Sequence, residues 1–248
     1  MAADLAWHKA EFETSLAFSR ETAALAKEHD LEAPYLWFLN RQGRIFIEQG
    51  LYDEARKVLE ECHSRALADP SLINPGAPLA QLGEIDYFEG RLDGAMSKLE
   101  KAIRFLTETD DADYIFIAIA NTDLAEVALA QQDFPRARYW LEKAKGYAGI
   151  NIRRALVFLC AATGNLVLSP DKKKRNFLLA AQLYGAIDAI SDQSGVKLNS
   201  FYQKTKSERT TISQKQVISD DWKASYLAGQ HLTREQALEM AKQALVMD

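Results

Sequence analysis

The sequence predicts an all-α protein built as an α-solenoid of stacked helix pairs, and two observations support that prediction. First, the 248 residues include 37 Ala and 30 Leu but only 7 Val. Ala and Leu favour helices, whereas β-branched residues favour strands. Second, three segments align with one another at a spacing of about 40 residues, which is typical of repeat architectures. Twelve glycines and six prolines are too few for the turns of a β-sandwich or barrel.

Composition and charge narrow the classes of function. The hydrophobic share of 48% is enough for a folded core and too high for a disordered chain. The net charge of −5 argues against nucleic acid as a partner. The sequence contains neither a membrane-length apolar run nor a basic segment followed by the apolar core of a signal peptide. The two cysteines lie far apart in helical patterns, so we expect reduced thiols and a cytoplasmic location.

Apolar periodicity predicts twelve helices, and prolines mark several of their starts. Asp133 before Pro135 predicts an N-cap followed by an early-helix proline, and Ser169-Pro170-Asp171 predicts a similar start. Residues 1–193 are expected to form about four repeats, the first of them partial, and residues 194–248 a C-terminal helical cap. The predicted helices are 3–29, 34–49, 52–68, 77–90, 92–107, 112–131, 135–147, 151–167, 173–193, 200–217, 219–228 and 233–246.

The three aligned segments share small residues and leucines at fixed spacings. The segments are residues 39–62, 79–102 and 121–144, with a weaker fourth copy at about 151–187. Each has a small residue on its first helix, a turn residue seven positions later, then an alanine and a leucine on its second helix. In order these are Gly43, Gly50, Ala55 and Leu59; Gly83, Gly90, Ala95 and Leu99; and Ala125, Gln132, Ala137 and Leu141. The small residue lets the second helix approach, and the glycine at the turn is expected at positive φ.

This pattern resembles the tetratricopeptide repeat, although the period is longer than the usual 34 residues and most aromatic positions are missing. The resemblance implies a right-handed α-solenoid, because one helix pair cannot bury its apolar stripe alone and stacks on the next pair. The segment Phe12–Ala17 resembles the second helix of a preceding repeat whose first helix is not evident. We therefore expect that the chain belongs to a longer protein.

The C-terminal third is similar to another group of repeats. The segments Ala180–Ile190 and Trp222–Ala241 resemble the ends of repeat arms in bacterial LuxR-type and STAND ATPase regulators, including the maltose-activator type. The resemblance implies a sensor or partner-binding arm of a signalling or transcription regulator. The sequence has no GxxxxGK[ST] motif, so a phosphate-binding loop is not predicted.

The reactive, acidic and basic residues do not form a catalytic pattern in the sequence. Cys62 and His63 are neighbours on a helix and point about 100° apart, so Cys62 is predicted to be a structural thiol. Asp110-Asp-Ala-Asp113 lacks the glycine and distal glutamate of a calcium loop and predicts a solvated loop or helix cap. The basic cluster Lys172–Arg175 predicts a solvated loop. No catalytic residue, metal site or cofactor is therefore expected, and the protein is predicted to be a non-catalytic binding module.

The tetratricopeptide resemblance also implies where a partner binds. In that family, the first helices of successive pairs line a concave groove. The corresponding residues here are Trp37, Asn40, Arg44, Glu84, Tyr87, Thr122, Glu126 and Arg153. Aromatic and mixed-charge side chains suit a peptide or folded partner, and Tyr87 is predicted to be the central anchor. The two glutamates would repel a C-terminal carboxylate.

A protein or peptide partner is therefore the favoured expectation, and another domain of the parent chain is one candidate for that partner. Two alternatives stay open at this point. One is a free-standing adaptor. The other is a receptor for a small-molecule inducer, as the resemblance to the maltose-activator type implies. Neither a nucleic acid nor a membrane is expected as a partner of this region.

Overall fold

The computed structural model describes residues 12–108, 113–171 and 175–246. These residues form α-helices and no strand, which confirms the all-α prediction. Residues 3–11 of the first predicted helix lie outside the described ranges. The helices are α1 (Phe12–Glu28), α2 (Glu32–Gln49), α3 (Tyr52–Ala68), α4 (Gly76–Phe88), α5 (Leu92–Thr107), α6 (Tyr114–Ala130), α7 (Phe134–Ala144), α8 (Ile152–Leu168), α9 (Phe177–Ser194), α10 (Ser200–Gln214), α11 (Ser219–Gly229) and α12 (Arg234–Val246).

The two predicted proline-marked starts have different outcomes. At α7, the side chain of Asp133 accepts a hydrogen bond from the Arg136 N–H at 3.1 Å, which confirms the predicted N-cap. The start predicted at residues 169–171 is wrong. Helix α9 begins at Phe177, because Asn176 supplies the cap by accepting from the Leu179 N–H at 2.9 Å.

Four turns between consecutive helices share one backbone conformation. Asp30, Gly50, Gly90 and Gln132 have φ values of 53°, 77°, 78° and 60°. The N–H of the next residue donates to the carbonyl five positions earlier at 2.8 to 2.9 Å in all four turns, which is the Schellman arrangement. The prediction of positive φ is therefore confirmed at Gly50 and Gly90, and Gln132 adopts the same conformation at the third aligned turn.

The predicted role of the small residues is confirmed in the first two pairs. A Cβ on Gly83 would lie 2.7 Å from Cγ of Leu99, and a Cβ on Gly43 would overlap the side chain of Leu59. Ala95, the aligned alanine on α5, is completely buried. Glycine on the first helix therefore makes room for leucine on the second helix.

The described helices belong to two compact units, residues 1–120 and 121–248. The division between these units falls within α6, and the predicted boundary between repeats and cap, after residue 193, stays a prediction. In the first unit, α2 packs against α1, α3 and α4, α3 packs against α4, and α4 packs against α5. Its core includes a cluster of six residues that contacts the α3–α4 loop: Ala23, Ala26, Tyr35, Leu36, Leu39 and Cys62.

In the second unit, α9 packs against α8, α10, α11 and α12. Helices α9 and α11 approach each other closely at two glycines. A Cβ on Gly185 would overlap the carbonyl of Tyr226, and a Cβ on Gly229 would overlap the carbonyl of Gln182. Glycine at both positions therefore sets the distance between these two helices. None of the helices in the described part of the chain has both the length and the apolar character that a membrane span requires.

Candidate functional site

The eight predicted groove residues are divided between the two units, and five of them are buried. Trp37, Asn40, Arg44, Glu84 and Tyr87 belong to the first unit, and Thr122, Glu126 and Arg153 belong to the second. Trp37 is 47% exposed, the Arg44 side chain is 13% exposed, and Arg153 is half-buried. The remaining five, each at most 6% exposed, are Asn40, Glu84, Tyr87, Thr122 and Glu126.

Glu84 is buried because Arg44 of the preceding first helix neutralises it. Nη1 and Nη2 of Arg44 donate to the two carboxylate oxygens of Glu84, and the second contact measures 3.2 Å. Arg44 also donates to Glu48, one turn away on α2. Burial alone would lower the pKa of Arg44, but the two carboxylates outweigh it and raise that pKa. Glu84 therefore links α2 to α4, and the expectation that it faces a partner is corrected.

Asn40 makes a second polar link between the same helices. Nε2 of Gln81 donates to Oδ1 of Asn40 at 2.6 Å and to its backbone carbonyl at 3.2 Å. Two residues of the predicted row on α2, Asn40 and Arg44, thus contact residues on α4 that lie 41 and 40 positions later. The structure brings successive first helices together as expected, but their polar groups bind one another.

Tyr87, the predicted anchor, is only 5% exposed. Its ring lies 5.8 Å from that of Phe88, which itself packs against the cluster of Phe46, Ile47, Ala55, Leu59, Leu82 and Ile85. A tyrosine at this depth stabilises the helix stack and cannot offer a large apolar surface to a partner. The predicted exposure of Tyr87 is therefore wrong.

In the second unit, Glu126 is completely buried and receives two hydrogen bonds from Arg209, at 2.9 and 2.6 Å. Nη1 of Arg209 also donates to the backbone carbonyl of Cys160 at 3.2 Å. The guanidinium fits because Gly164 has no side chain: a Cβ there would lie 2.7 Å from Cζ of Arg209. Glu126 therefore holds α6, α8 and α10 together, and its predicted exposure is wrong.

Two of the predicted groove residues, Trp37 and Asn40, line an open cleft. The cleft has a volume of about 390 Å³ and lies within the first unit, between α2, the α3–α4 loop and the starts of α4 and α6. Its apolar lining consists of Trp37, Pro70, Ile73, Ala77 and Phe116, and its polar lining consists of Asn40, Ser71, Asn74 and Asp113. The guanidinium of Arg41 lies 5.4 Å from the indole centroid, over one ring face.

The loop that forms one wall of the cleft is held by its own hydrogen bonds. Oδ1 of Asp69 accepts from the N–H and hydroxyl of Ser71, at 3.1 and 2.6 Å. Asn74 donates to the Phe105 carbonyl at 2.9 Å and accepts from the Gly76 N–H at 2.8 Å. Ile73 packs against the core of the first unit. This wall is therefore ordered before any ligand enters, which lowers the entropic cost of binding.

Asp113 lines the cleft at the start of α6. Its Oδ1 accepts from the N–H groups of Ile115 and Phe116, at 3.1 and 3.4 Å. The prediction that the acidic run caps a helix is confirmed at Asp113, whereas Asp110–Ala112 lie outside the described residues. Burial raises the pKa of the Asp113 carboxyl, and the two backbone hydrogen bonds offset part of that effect.

Three other residues that could take part in chemistry, Cys62, His63 and Arg175, contact backbone carbonyls of the protein. Sγ of Cys62 lies 3.4 Å from the Leu36 carbonyl, and burial raises the pKa of this thiol to about 12. His63 contacts the Pro75 carbonyl through Nδ1 at 2.9 Å, and burial lowers its pKa. Of the basic cluster, Lys172–Lys174 lie outside the described residues, and Nε of Arg175 donates to the Ser169 carbonyl at 2.6 Å. These contacts indicate structural roles.

Sequence reasoning missed the cleft and several of the residues that position it. The predicted helices 52–68 and 77–90 leave a connection between them, but nothing in the pattern indicated that this loop lies beside Trp37 and Asp113. Across the described residues, no cluster of three or more His, Cys, Asp or Glu side chains is arranged to hold a metal ion.

Comparison of the chain with family models, curated proteins and solved structures found no match.

Proposed function

We propose that the chain is a non-catalytic binding module, an α-solenoid of tetratricopeptide-like helix pairs that binds a peptide segment of a protein partner. The peptide binds at the cleft beside Trp37. The favoured setting is the sensor or partner-binding arm of a bacterial signalling or transcription regulator. Another domain of the parent chain is one candidate for the partner. A free-standing adaptor would use the same cleft.

The packing of the first unit supports the solenoid. Helix α2 contacts α3, the second helix of its own pair, and also α4, the first helix of the next pair. The contact between glycine and leucine recurs in both pairs, at Gly43 with Leu59 and at Gly83 with Leu99. Repetition of one contact at equivalent positions is what stacked repeats require.

The single observation that carries the peptide site is the exposure of Trp37. Tryptophan is among the residues that most often dominate binding energy, because its large apolar surface loses little conformational entropy on binding. Here 47% of that surface remains exposed next to an ordered loop. A non-catalytic role is supported by the two thiols, since burial raises the pKa of both Cys62 and Cys160 to about 12.

The test is a selection of random peptides displayed on phage against the full chain. Peptides that bind are synthesised, and their Kd values are measured by calorimetry for wild type and for Trp37→Ala. We expect Trp37→Ala to weaken binding about 10- to 100-fold, as truncation of a hot spot does. Helical content, followed by circular dichroism, should stay unchanged because this side chain is half exposed.

Tyr139→Ala is the matched control. Tyr139 lies on α7 and is 53% exposed. Nζ of Lys143 lies over its ring, 5.5 Å from the centroid, as the guanidinium of Arg41 lies over the ring of Trp37. It belongs to the second unit, so its removal should leave the Kd unchanged. If no selected peptide depends on Trp37, the peptide site is not at this cleft.

A small-molecule receptor is the second candidate function, because the cleft volume of about 390 Å³ falls within the size range of ligand pockets. Thermal unfolding with a panel of metabolites separates the two functions. A metabolite that raises the Tm of wild type but not of Trp37→Ala would favour the receptor. A response to peptides alone would favour the binding module.

A further inference from the structure

The charge of the cleft gives information about the group that it accepts. Among the described residues that line the cleft, Asp113 is the only one with an ionisable side chain. It forms no ion pair with any residue in the described part of the chain, and its hydrogen-bond donors are the neutral N–H groups of Ile115 and Phe116. The lining residues that the structure describes therefore carry one negative charge, which no ion pair among them neutralises.

The walls around this carboxylate are aromatic and aliphatic. Trp37 and Phe116 are the aromatic residues of the lining, and Ile73 is an aliphatic one. Aromatic faces attract ammonium and guanidinium groups, and Arg41 already occupies one face of Trp37 at 5.4 Å. Lys and Arg side chains combine an apolar stem with a terminal cation, which matches a cleft that has apolar walls and one carboxylate.

We propose that the cleft binds a basic side chain of the partner peptide, an ammonium or guanidinium on an apolar stem, with Asp113 as its counter-ion and Trp37 and Phe116 as its walls. This specificity rests on the proposed function of peptide binding. The net charge of −5 favours the approach of a basic peptide over an acidic one. In the sequence, Asp113 also ends an acidic run that begins at Glu108.

The test is a double-mutant cycle on peptides that depend on Trp37. We expect these peptides to contain Arg or Lys beside an apolar residue. Replacing that arginine with citrulline, or that lysine with acetyl-lysine, removes the charge and preserves most of the shape. The replacement should weaken binding to wild type by at least about tenfold, since one partner of a partly desolvated pair is lost.

Asp113→Asn is the change in the protein that the double-mutant cycle combines with the change in the peptide. The amide oxygen of asparagine still caps α6, because it accepts from the same two N–H groups, so the fold is retained while the charge is removed. We expect Asp113→Asn to weaken binding of the arginine peptide and to remove most of its advantage over the citrulline peptide. Asp133→Asn is the matched control: it removes the same charge from the N-cap of α7 in the second unit and should leave the cycle unchanged.

The outcomes separate this inference from the function on which it rests. If peptides depend on Trp37 but lack basic residues, or if citrulline weakens binding equally in wild type and Asp113→Asn, the charge specificity is overturned and the peptide site survives. If no peptide depends on Trp37, the proposed function itself fails. N-acetyl-arginine amide and n-butylammonium are tested as free cations; binding as tight as that of the peptide would assign the cleft to small cations instead.

Discussion

Gln132 occupies a backbone conformation that glycine adopts at the two equivalent turns. Its φ of 60° places it in the left-handed region, like Gly50 and Gly90 at 77° and 78°. An L residue with a side chain pays about 1–2 kcal/mol for that conformation. The hydrogen bond from the Asp133 N–H to the Ala128 carbonyl, 2.9 Å long, keeps the turn in place despite the strain.

Gln132→Gly should therefore stabilise the protein. We expect the free energy of unfolding to rise by about 0.5–1 kcal/mol, because the relief of strain exceeds the added entropy of glycine in the unfolded chain. Gly90→Ala is the reverse control and should lower it by about 1 kcal/mol or more. Urea unfolding followed by circular dichroism measures both changes. A destabilised Gln132→Gly would show that the glutamine side chain makes a contact worth more than the strain.

Asp86 contributes stability that depends on pH. Its carboxylate, 2% exposed, accepts hydrogen bonds from Arg56 at 3.1 Å, from Arg91 at 2.6 Å and from Lys98. Burial alone would raise the pKa of Asp86, but the hydrogen bonds from Lys98 and Arg91 outweigh it, so the pKa lies below its usual value. The unfolded chain therefore takes up this proton at a higher pH than the folded chain does.

The consequence is a loss of stability as the pH falls. The contribution of Asp86 is complete above the pKa of the unfolded carboxyl, about 3.9, and disappears as the pH drops through the lower folded value. We expect Asp86→Asn to be less stable than wild type at pH 7 and the difference to shrink by pH 3. Asp53→Asn, which changes an exposed carboxylate, should have little effect. If the difference in the free energy of unfolding between wild type and Asp86→Asn stays constant from pH 7 to pH 3, this assignment is contradicted.

At the scale of elements, the contact between α9 and α11 depends on two glycines. Because Gly185 and Gly229 each face a backbone carbonyl of the other helix, a methyl group at either position must push the helices apart. Gly185→Ala should lower the free energy of unfolding by about 1–3 kcal/mol or more. Gly146→Ala is the control, since a Cβ there meets no atom within 4 Å. Equal stability of the two variants would show that α9 and α11 do not pack this closely.

The seam between α4 and α5 gives a second test of helix packing. Ala95 is completely buried, whereas Ala24 on α1 is exposed. Ala95→Leu should overpack the seam and cost about 1–3 kcal/mol, and Ala24→Leu should change stability by less than about 0.5 kcal/mol. Thermal unfolding compares the two. If Ala95→Leu melts at the wild-type temperature, the proposed repeat register is wrong.

At the scale of the whole molecule, the features that could be predicted from the sequence are those that neighbouring residues determine. Helix positions follow from apolar periodicity, and the turns follow from residues such as Gly50 and Gly90, because both are properties of neighbouring residues. Exposure was not predictable in the same way. Glu84 is buried because it pairs with Arg44, 40 positions earlier, and Glu126 is buried because it pairs with Arg209, 83 positions later. A pattern of neighbouring residues does not predict ion pairs at such separations.

The candidate site shows the same limit. Trp37 was predicted to contact a partner, and it is exposed, but the residues beside it come from a connecting loop and the start of α6. The tetratricopeptide resemblance implied a row along first helices and thus included the buried Tyr87. A residue equivalent in a repeat register can be exposed in one copy and covered in the next, since neighbouring helices differ.

The central claim is that the partner binds at the cleft beside Trp37, and the indole N–H resonances of the protein test it most directly. The chain has four tryptophans, and ¹⁵N-labelling of their indoles gives one signal each; that of Trp37 is assigned by its loss in Trp37→Phe. Titration with a selected peptide should shift the Trp37 signal and leave that of Trp222, which is buried and bonded to Ser213, unchanged. A titration that moves the Trp222 or Trp140 signal and leaves Trp37 in place would contradict the claim and locate binding in the second unit.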